Sequence, residues 1–309
     1  AFIKPIKAEV EQTENKLIYF QNLLDSWIKC QRGWMYLEPI FSSDEMKTEM
    51  PQEREYFVTV DENWRKIMSF IQESPLIYNH SELDVISKQL IVNNDYLEKI
   101  NKELNTYLEK KRHLFPRFYF LSDEELLVIL SKAKDPTLVK RYINKCFDSI
   151  DTIEFNQKLE VISMVSAEKE VIPFLKPVVT NEAEKRGKVE IWLRDLEQMM
   201  RDTLIQRSVE AAADDKIERT KWILKWPAQI VIAVNNVRWT SGVESAIKSD
   251  TLQKYYNQLI EERDEVVDMV KGELTMLERL SLGALIVIDQ HAIYVVEMLL
   301  REQIQSDQD

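Results

Sequence analysis

The stretch Ser81–His113 reads SELDVISKQLIVNNDYLEKINKELNTYLEKKRH. Its apolar residues Leu83, Ile86, Leu90, Leu97, Ile100, Leu104 and Leu108 recur three, four or seven positions apart. That period puts all seven on one face of a long helix, with charges opposite. Ser81 or Asp84 is its candidate cap, because a short polar side chain can take up a free amide of the first turn. A helical face of this length is stable only against other helices, so the stretch predicts a bundle.

The same pattern continues on both sides. Upstream, Ala8 to Phe41 carries Leu17, Phe20, Leu24, Trp27, Trp34 and Phe41 as one stripe, with Gly33 inside it. Ser42-Ser43-Asp44 reads as a turn. A second helix follows Pro51, with Tyr56, Val60, Trp64, Ile67 and Ile71, and stops at Glu73-Ser74-Pro75. Downstream, Pro116 ends the helical region and Phe118–Leu121 reads as extended. Ser122 and Glu125 form a capping box, and Asp135-Pro136 is a further start signal. Helices resume near Lys188 with Trp192, Leu196, Met199 and Thr203 on one face. Asp214-Asp215 starts the next, with Trp222, Trp226, Ile230, Val234 and Val237, kinked or broken at Pro227. Ser241-Gly242-Val243-Glu244 reads as another capping box before a stripe at Leu252, Tyr256, Leu259, Val266, Val270, Leu274 and Leu277. A last helix covers about Leu280 to Glu302.

Near the middle the period changes to two. Phe155, Leu159, Val161, Ser163 and Val165 occupy odd positions, and Val171–Leu175 follows the polar turn Ser166-Ala167-Glu168-Lys169. Two short β-rich runs around such a turn predict a hairpin. Pro173 confines its second run to an edge or a bulge, and Lys176 to Lys188 reads as a loop. The fold class is therefore mostly α: an elongated array of helical bundles with one β-hairpin near the middle. Residues 1–150 form the N-terminal helical part, 151–188 the hairpin and loop, and 189–309 the C-terminal helical part.

Composition excludes several functions. Five Gly in 309 residues argue against a turn-rich all-β fold and against a glycine-rich phosphate loop. The net charge of -12 disfavours nonspecific nucleic-acid binding, and Lys110-Lys111-Arg112-His113 reads as a solvated helical turn. Ser281–Leu300 is the most apolar stretch. It carries Asp289, His291 and Glu297, so it reads as a buried helix, not a membrane span. Ala1-Phe2-Ile3-Lys4-Pro5 lacks an initiator Met and a secretory leader; with only Cys30 and Cys146, a reducing compartment is expected.

Catalytic patterns are missing from the sequence. No glycine opens G-x-x-x-x-G-K-[ST] or G-x-G-x-x-G, and His80, His113 and His291 are far apart and outside any H-E-x-x-H. Cys30 and Cys146 sit among apolar neighbours and read as inert thiols. Asp289-Gln290-His291 reads as a polar group satisfied inside a bundle, the pairs Glu124-Glu125, Glu261-Glu262 and Asp214-Asp215 as helix starts or polar faces, and the seven Trp as core. No catalytic, cofactor-binding or metal-binding residue is expected. Composition and spacing alone describe a rigid helical body.

Several strings go further. WMYLEPIF (Trp34–Phe41), FPRFYFLSDEEL (Phe115–Leu126), LSKAKDP (Leu130–Pro136), SAEKE (Ser166–Glu170), KWPAQ (Lys225–Gln229), GELT (Gly272–Thr275) and ALIVIDQHA (Ala284–Ala292) stand in that order. Together they resemble the linker region of dynein heavy chains over nearly the whole chain. Lys169 stands where many relatives carry Gly, which implies a looser turn. It also looks more like the single-headed inner-arm axonemal heavy chains than the cytoplasmic ones.

The resemblance implies a lever arching over a ring of six AAA+ modules in the same heavy chain, bending and straightening as the first module binds and hydrolyses ATP. Its implied partners are that ring, the dynein tail with its intermediate and light chains, and microtubules reached through the parent stalk. Neither nucleic acid nor membrane is implied. ATP and Mg would belong to the parent ring, and the place would be the cytoskeleton, in a ciliary or flagellar axoneme. Glu168 and Lys169 at the hairpin tip are the candidate ring contact. Pro177, Gly187 and Lys188 mark the candidate hinge, with Asp214-Asp215 second. The competing readings are a passive spectrin-like tether, the linker of a cytoplasmic dynein, and an enzyme with an unrecognised site.

Overall fold

The structure, a computed structural model, describes residues 6–73, 83–133, 135–180, 188–214 and 216–306. Two units divide the chain. One comprises Ala1–Cys146 with Thr180–Leu193, the other Phe147–Val179 with Arg194–Asp309.

The first unit is built on α1 (Lys7–Phe41), the short α2 (Asp44–Glu49), α3 (Pro51–Glu73) and α4 (Leu83–Leu114). All seven apolar residues of the α4 stripe are buried. Ser81 lies outside the described residues, and Asp84 falls in the first turn. The buried row of α1 is Leu23, Cys30 and Leu37, with Trp27 and Trp34 half-buried between them, while Leu17 and Leu24 are 61% and 52% exposed. Leu24 is one residue, about 100° of helix, away from the buried row. The large indoles at Trp27 and Trp34 fit either row, which is why the stripe read from the sequence wrongly takes in Leu17 and Leu24. Trp64 of α3 meets Trp27 edge-on at 6.3 Å and stacks on Trp34 at 6.0 Å. Trp34 Nε1 donates to Asp61 Oδ1 at 2.8 Å. A Cβ at Gly33 would lie 3.0 Å from Leu97 Cδ1, so this glycine marks a close approach of α1 and α4.

Of the run Phe118–Leu121 expected to be extended, only Leu121 is. Pro116–Phe120 forms a 3-10 helix, and its three-residue turn brings Phe115 and Phe118 edge to face at 5.0 Å, both buried. The capping box is present: Glu125 N donates to Ser122 Oγ at 3.3 Å and Ser122 N to Glu125 Oε2 at 3.1 Å. It opens α5 (Asp123–Ser131). Asp135 caps a second 3-10 helix, Pro136–Tyr142, followed by α6 (Ile143–Cys146). The basic cluster is not a solvated turn. Lys111 and Arg112 are buried. Lys111 Nζ reaches Glu190 Oε1 at 2.7 Å, and Arg112 Nη2 reaches Asp123 Oδ1 at 2.7 Å and Leu121 O at 3.2 Å.

The second unit holds a three-stranded antiparallel sheet in the order β1 (Ile150–Phe155), β2 (Val161–Ser166), β3 (Val171–Val178). The expected hairpin is β2–β3. The run of odd-position apolar residues is in fact the end of β1, a turn, and β2. The five-residue turn keeps the parity, because Phe155 pairs with Val161. Ile153, Met164 and Ile172 line up across the strands and are buried. Pro173 sits on the edge strand.

Helix α7 (Val189–Ala212) gives Leu196, Met199 and Thr203 to the unit's interior. Pro227 breaks the next helix into α8 (Arg219–Lys225) and α9 (Ala228–Lys248). Ser241 to Glu244 is helix interior, not a start. Gly242 is there because a Cβ would fall 2.3 Å from Tyr255 Oη. The stripe beyond it splits into α10 (Leu252–Val270) and α11 (Met276–Ser306). Between them the working capping box is Thr275–Glu278, with Glu278 N donating to Thr275 Oγ1 at 3.2 Å and Thr275 N to Glu278 Oε2 at 2.8 Å.

Candidate functional site

The β2–β3 turn runs from Ser166 to Glu170. Ser166 N donates to Glu170 O at 2.9 Å, Lys169 N to Ser166 O at 3.0 Å, and Glu170 N to Ser166 Oγ at 3.2 Å. These bonds force Lys169 to φ 71°, the left-handed region that favours glycine. The turn is tight although a lysine occupies the glycine-like position, so the expectation of a looser turn is overturned. The backbone bonds and the serine cap hold the strain.

Three acidic or basic side chains leave this turn in different directions. Lys169 Nζ pairs with Asp151 Oδ2 on β1. Glu170 Oε1 accepts the Ala228 N–H at 2.9 Å, at the start of α9. A carboxylate there satisfies a free amide and faces the positive end of the helix dipole. Glu168 is exposed at the tip. The turn therefore projects one carboxylate while its two neighbours fix it, one to the sheet and one to a 21-residue helix. The Glu170–Ala228 bond joins the SAEKE and KWPAQ strings across 58 residues. Periodicity carries no information on such a pairing, so sequence reasoning missed it.

Of the three hinge candidates, Pro177 and Lys188 are described. Pro177 lies in β3, not in a loop. Gly187 lies outside the described residues. Lys188 is exposed, and its carbonyl accepts Ile191 N at 3.1 Å in the first turn of α7. Of the second choice, Asp215 is outside the described residues. Asp214 is held by Lys225 Nζ at 2.6 Å and Trp226 Nε1 at 3.3 Å. The Lys225 contact, first, and the indole hold its carboxyl below the usual range.

The other groups singled out from the sequence are buried or paired. Burial pushes the Cys30 thiol up to about 11 and the Cys146 thiol up to about 12, so neither is a ready nucleophile. Asp289 is buried and accepts from Arg219 Nη2 and Asn235 Nδ2, both at 2.9 Å. Arg219 also donates to Glu262 O at 2.9 Å. This network borders a cleft of about 340 Å³ in which the two arginines, Arg219 and Arg238, face Asp289 and Glu262. The charges balance, leaving no field to concentrate an ion. Among the described residues, no three His, Cys, Asp or Glu side chains are grouped to hold a metal ion.

Residues 1–211 match the family described as dynein heavy chain, N-terminal region 2. The chain is 42% identical over 308 residues, 99% of its length, to dynein axonemal heavy chain 3 of Homo sapiens. It is 40% identical over 313 residues, 100% of its length, to dynein axonemal heavy chain 12 of Mus musculus. Identity is 38% over 311 residues, 99% of its length, to dynein axonemal heavy chain 1 of Homo sapiens. The chain spans only 7%, 10% and 7% of these three relatives.

Proposed function

The chain belongs to the dynein heavy chains, its residues 1–211 to their N-terminal region 2, and from that premise we propose that it is the mechanical linker of an axonemal heavy chain. In this reading it is a lever that bends and straightens over the AAA+ ring of its own polypeptide during the ATP cycle. The parent is then a microtubule motor ATPase working in a cilium or flagellum. ATP and Mg sit in the ring, and the tail and its associated chains lie at the other end.

One observation carries this reading: the hairpin tip is built stiff. Lys169 is held by Asp151, and Glu170 by the first amide of α9. A contact that transmits force has to resist local yielding, and close-packed helices tied to such a tip do so. Glu168 and Lys169 are proposed to touch the ring. In the intact motor, Glu168→Lys combined with Lys169→Glu should slow microtubule gliding and alter the microtubule-stimulated ATPase. Unchanged speed and ATPase would remove the ring contact.

The hinge is proposed at Lys188 and the residues before it. Hydrogen exchange there should change with nucleotide state in the intact motor; uniform protection would argue against it. A passive tether is the second reading, favoured by the exposure of the Lys169–Asp151 pair, since surface ion pairs add little rigidity. It predicts no effect of the double reversal on the ATPase.

A further inference from the structure

Helix α11 is apolar on two opposite sides. On its inner side Leu282, Leu285, Ala292, Ile293 and Val296 are buried, packed with residues of α9 and α10. On its outer side Met276, Leu280, Val287, Tyr294 and Met298 are 80, 48, 69, 55 and 40% exposed. Ala284 and His291 are also exposed and fill the remaining places. The outer row is thus 276, 280, 284, 287, 291, 294 and 298, a mean spacing of about 3.7 and so close to the helix's own period, along roughly 33 Å of helix. Beside it, a Cβ on Gly283 would meet nothing within 4 Å. The expectation that Ser281–Leu300 is a buried helix therefore holds for only one of its sides.

We propose that this outer row seats an amphipathic helix from the same heavy chain, lying outside these 309 residues. A row at the helix's own period runs straight along α11, which suits a second helix lying along it, and Gly283 with Ala284 lets that helix's backbone come close. The supply is on the same polypeptide. This chain covers 7% of the axonemal heavy chains it resembles, and a tethered segment acts at high effective concentration.

Other occupants fit less well. Met276–Glu302 is long and apolar enough to cross a membrane, with a mean hydropathy of 1.5. Its buried Asp289, bonded to Arg219 and Asn235, keeps the inner side in the protein. A helix lying on lipid carries a Lys/Arg-rich polar face, whereas α11 has Glu278, Glu297 and Glu302 beside only Arg279 and Arg301. A second copy would bring together two chains of net charge -12 each.

The proposal rests on family membership and not on the lever role, so either can fail alone. The test uses the full-length heavy chain with photoreactive benzoylphenylalanine in place of Tyr294, irradiated and mapped by mass spectrometry. The expected adduct is to a helical segment of the same chain outside residues 1–309. An adduct to another subunit, a second heavy chain or lipid overturns the proposal, as does no adduct at all. In parallel, Val287→Arg in the full chain should lower its thermal transition and open the crosslinked segment to protease. A transition and digestion pattern equal to the parent's would mean that the row faces solvent.

Discussion

The two turns of the sheet have the same backbone and different attachments. Asn156–Glu160 and Ser166–Glu170 each close with the first residue's N–H on the fifth residue's carbonyl, at 2.9 Å in both. Each places its fourth residue in the left-handed region, Leu159 at φ 60° and Lys169 at φ 71°. In each, the first side chain accepts the fifth N–H, Asn156 Oδ1 at 3.0 Å and Ser166 Oγ at 3.2 Å. The difference lies in the glutamate that ends the turn. Asn156 has a side-chain N–H₂, which donates to Glu160 Oε2 at 2.7 Å and keeps that carboxylate within its own turn. The Ser166 side chain accepts Glu170 N, and no such amide holds the Glu170 carboxylate. Glu170 instead reaches the amide of Ala228. One turn is self-contained; the other ties the sheet to a helix.

The largest expected effect tests that difference directly. Glu170→Ala removes the acceptor of a helix-start amide, and loss of such a cap costs about 1 kcal/mol. Glu160→Ala removes only a local side-chain bond and should cost less, on the order of half that. Urea unfolding of the 309-residue chain measures both. Equal losses would mean that the tie to α9 contributes nothing beyond a local bond.

The contrast also shows where the sequence was readable. The stripe of α4 is legible because helical period and burial coincide at all seven of its positions from Leu83 to Leu108, while the off-period Val85, Ile91 and Val92 stay exposed. The Ser166 turn is legible because polar residues interrupt two β-rich runs. The Asn156 turn is hidden because its five residues preserve the alternation on which strand reading depends, and it contains no glycine. At 241–244 the opposite error occurs. Ser and Glu stand at capping-box spacing, but α9 passes through them, since nothing before Ser241 ends the helix. At the site, the tip residues Glu168 and Lys169 were legible from the turn. The partners that fix the tip, Asp151 and Ala228, were not, since both are long-range contacts that only the fold creates.

A second test uses the strain that the turns share. A non-glycine residue in the left-handed region is less stable than glycine by about 1 kcal/mol. Leu159→Gly should therefore stabilise the chain by up to about that amount, reduced by the extra freedom glycine gives the unfolded state. Lys169→Gly should gain less, because it also removes the ion pair with Asp151. Chemical denaturation should rank the two gains in that order. Equal gains, or a larger gain at Lys169, would mean that the Lys169–Asp151 pair adds no stability.

The smallest expected effect converts one turn toward the other. Ser166→Asn keeps an acceptor for the Glu170 N–H and adds the N–H₂ group that holds Glu160 in the first turn. The new amide should draw the Glu170 carboxylate back from α9. Overall stability should change little, within about 0.5 kcal/mol, because one hydrogen bond replaces another of similar net strength. The amide of Ala228 should nevertheless exchange faster, since it loses its acceptor while the turn stays closed. Unaltered exchange at Ala228 would show that the first residue of the turn does not decide where its glutamate goes, and that the geometry of α9 alone draws it over.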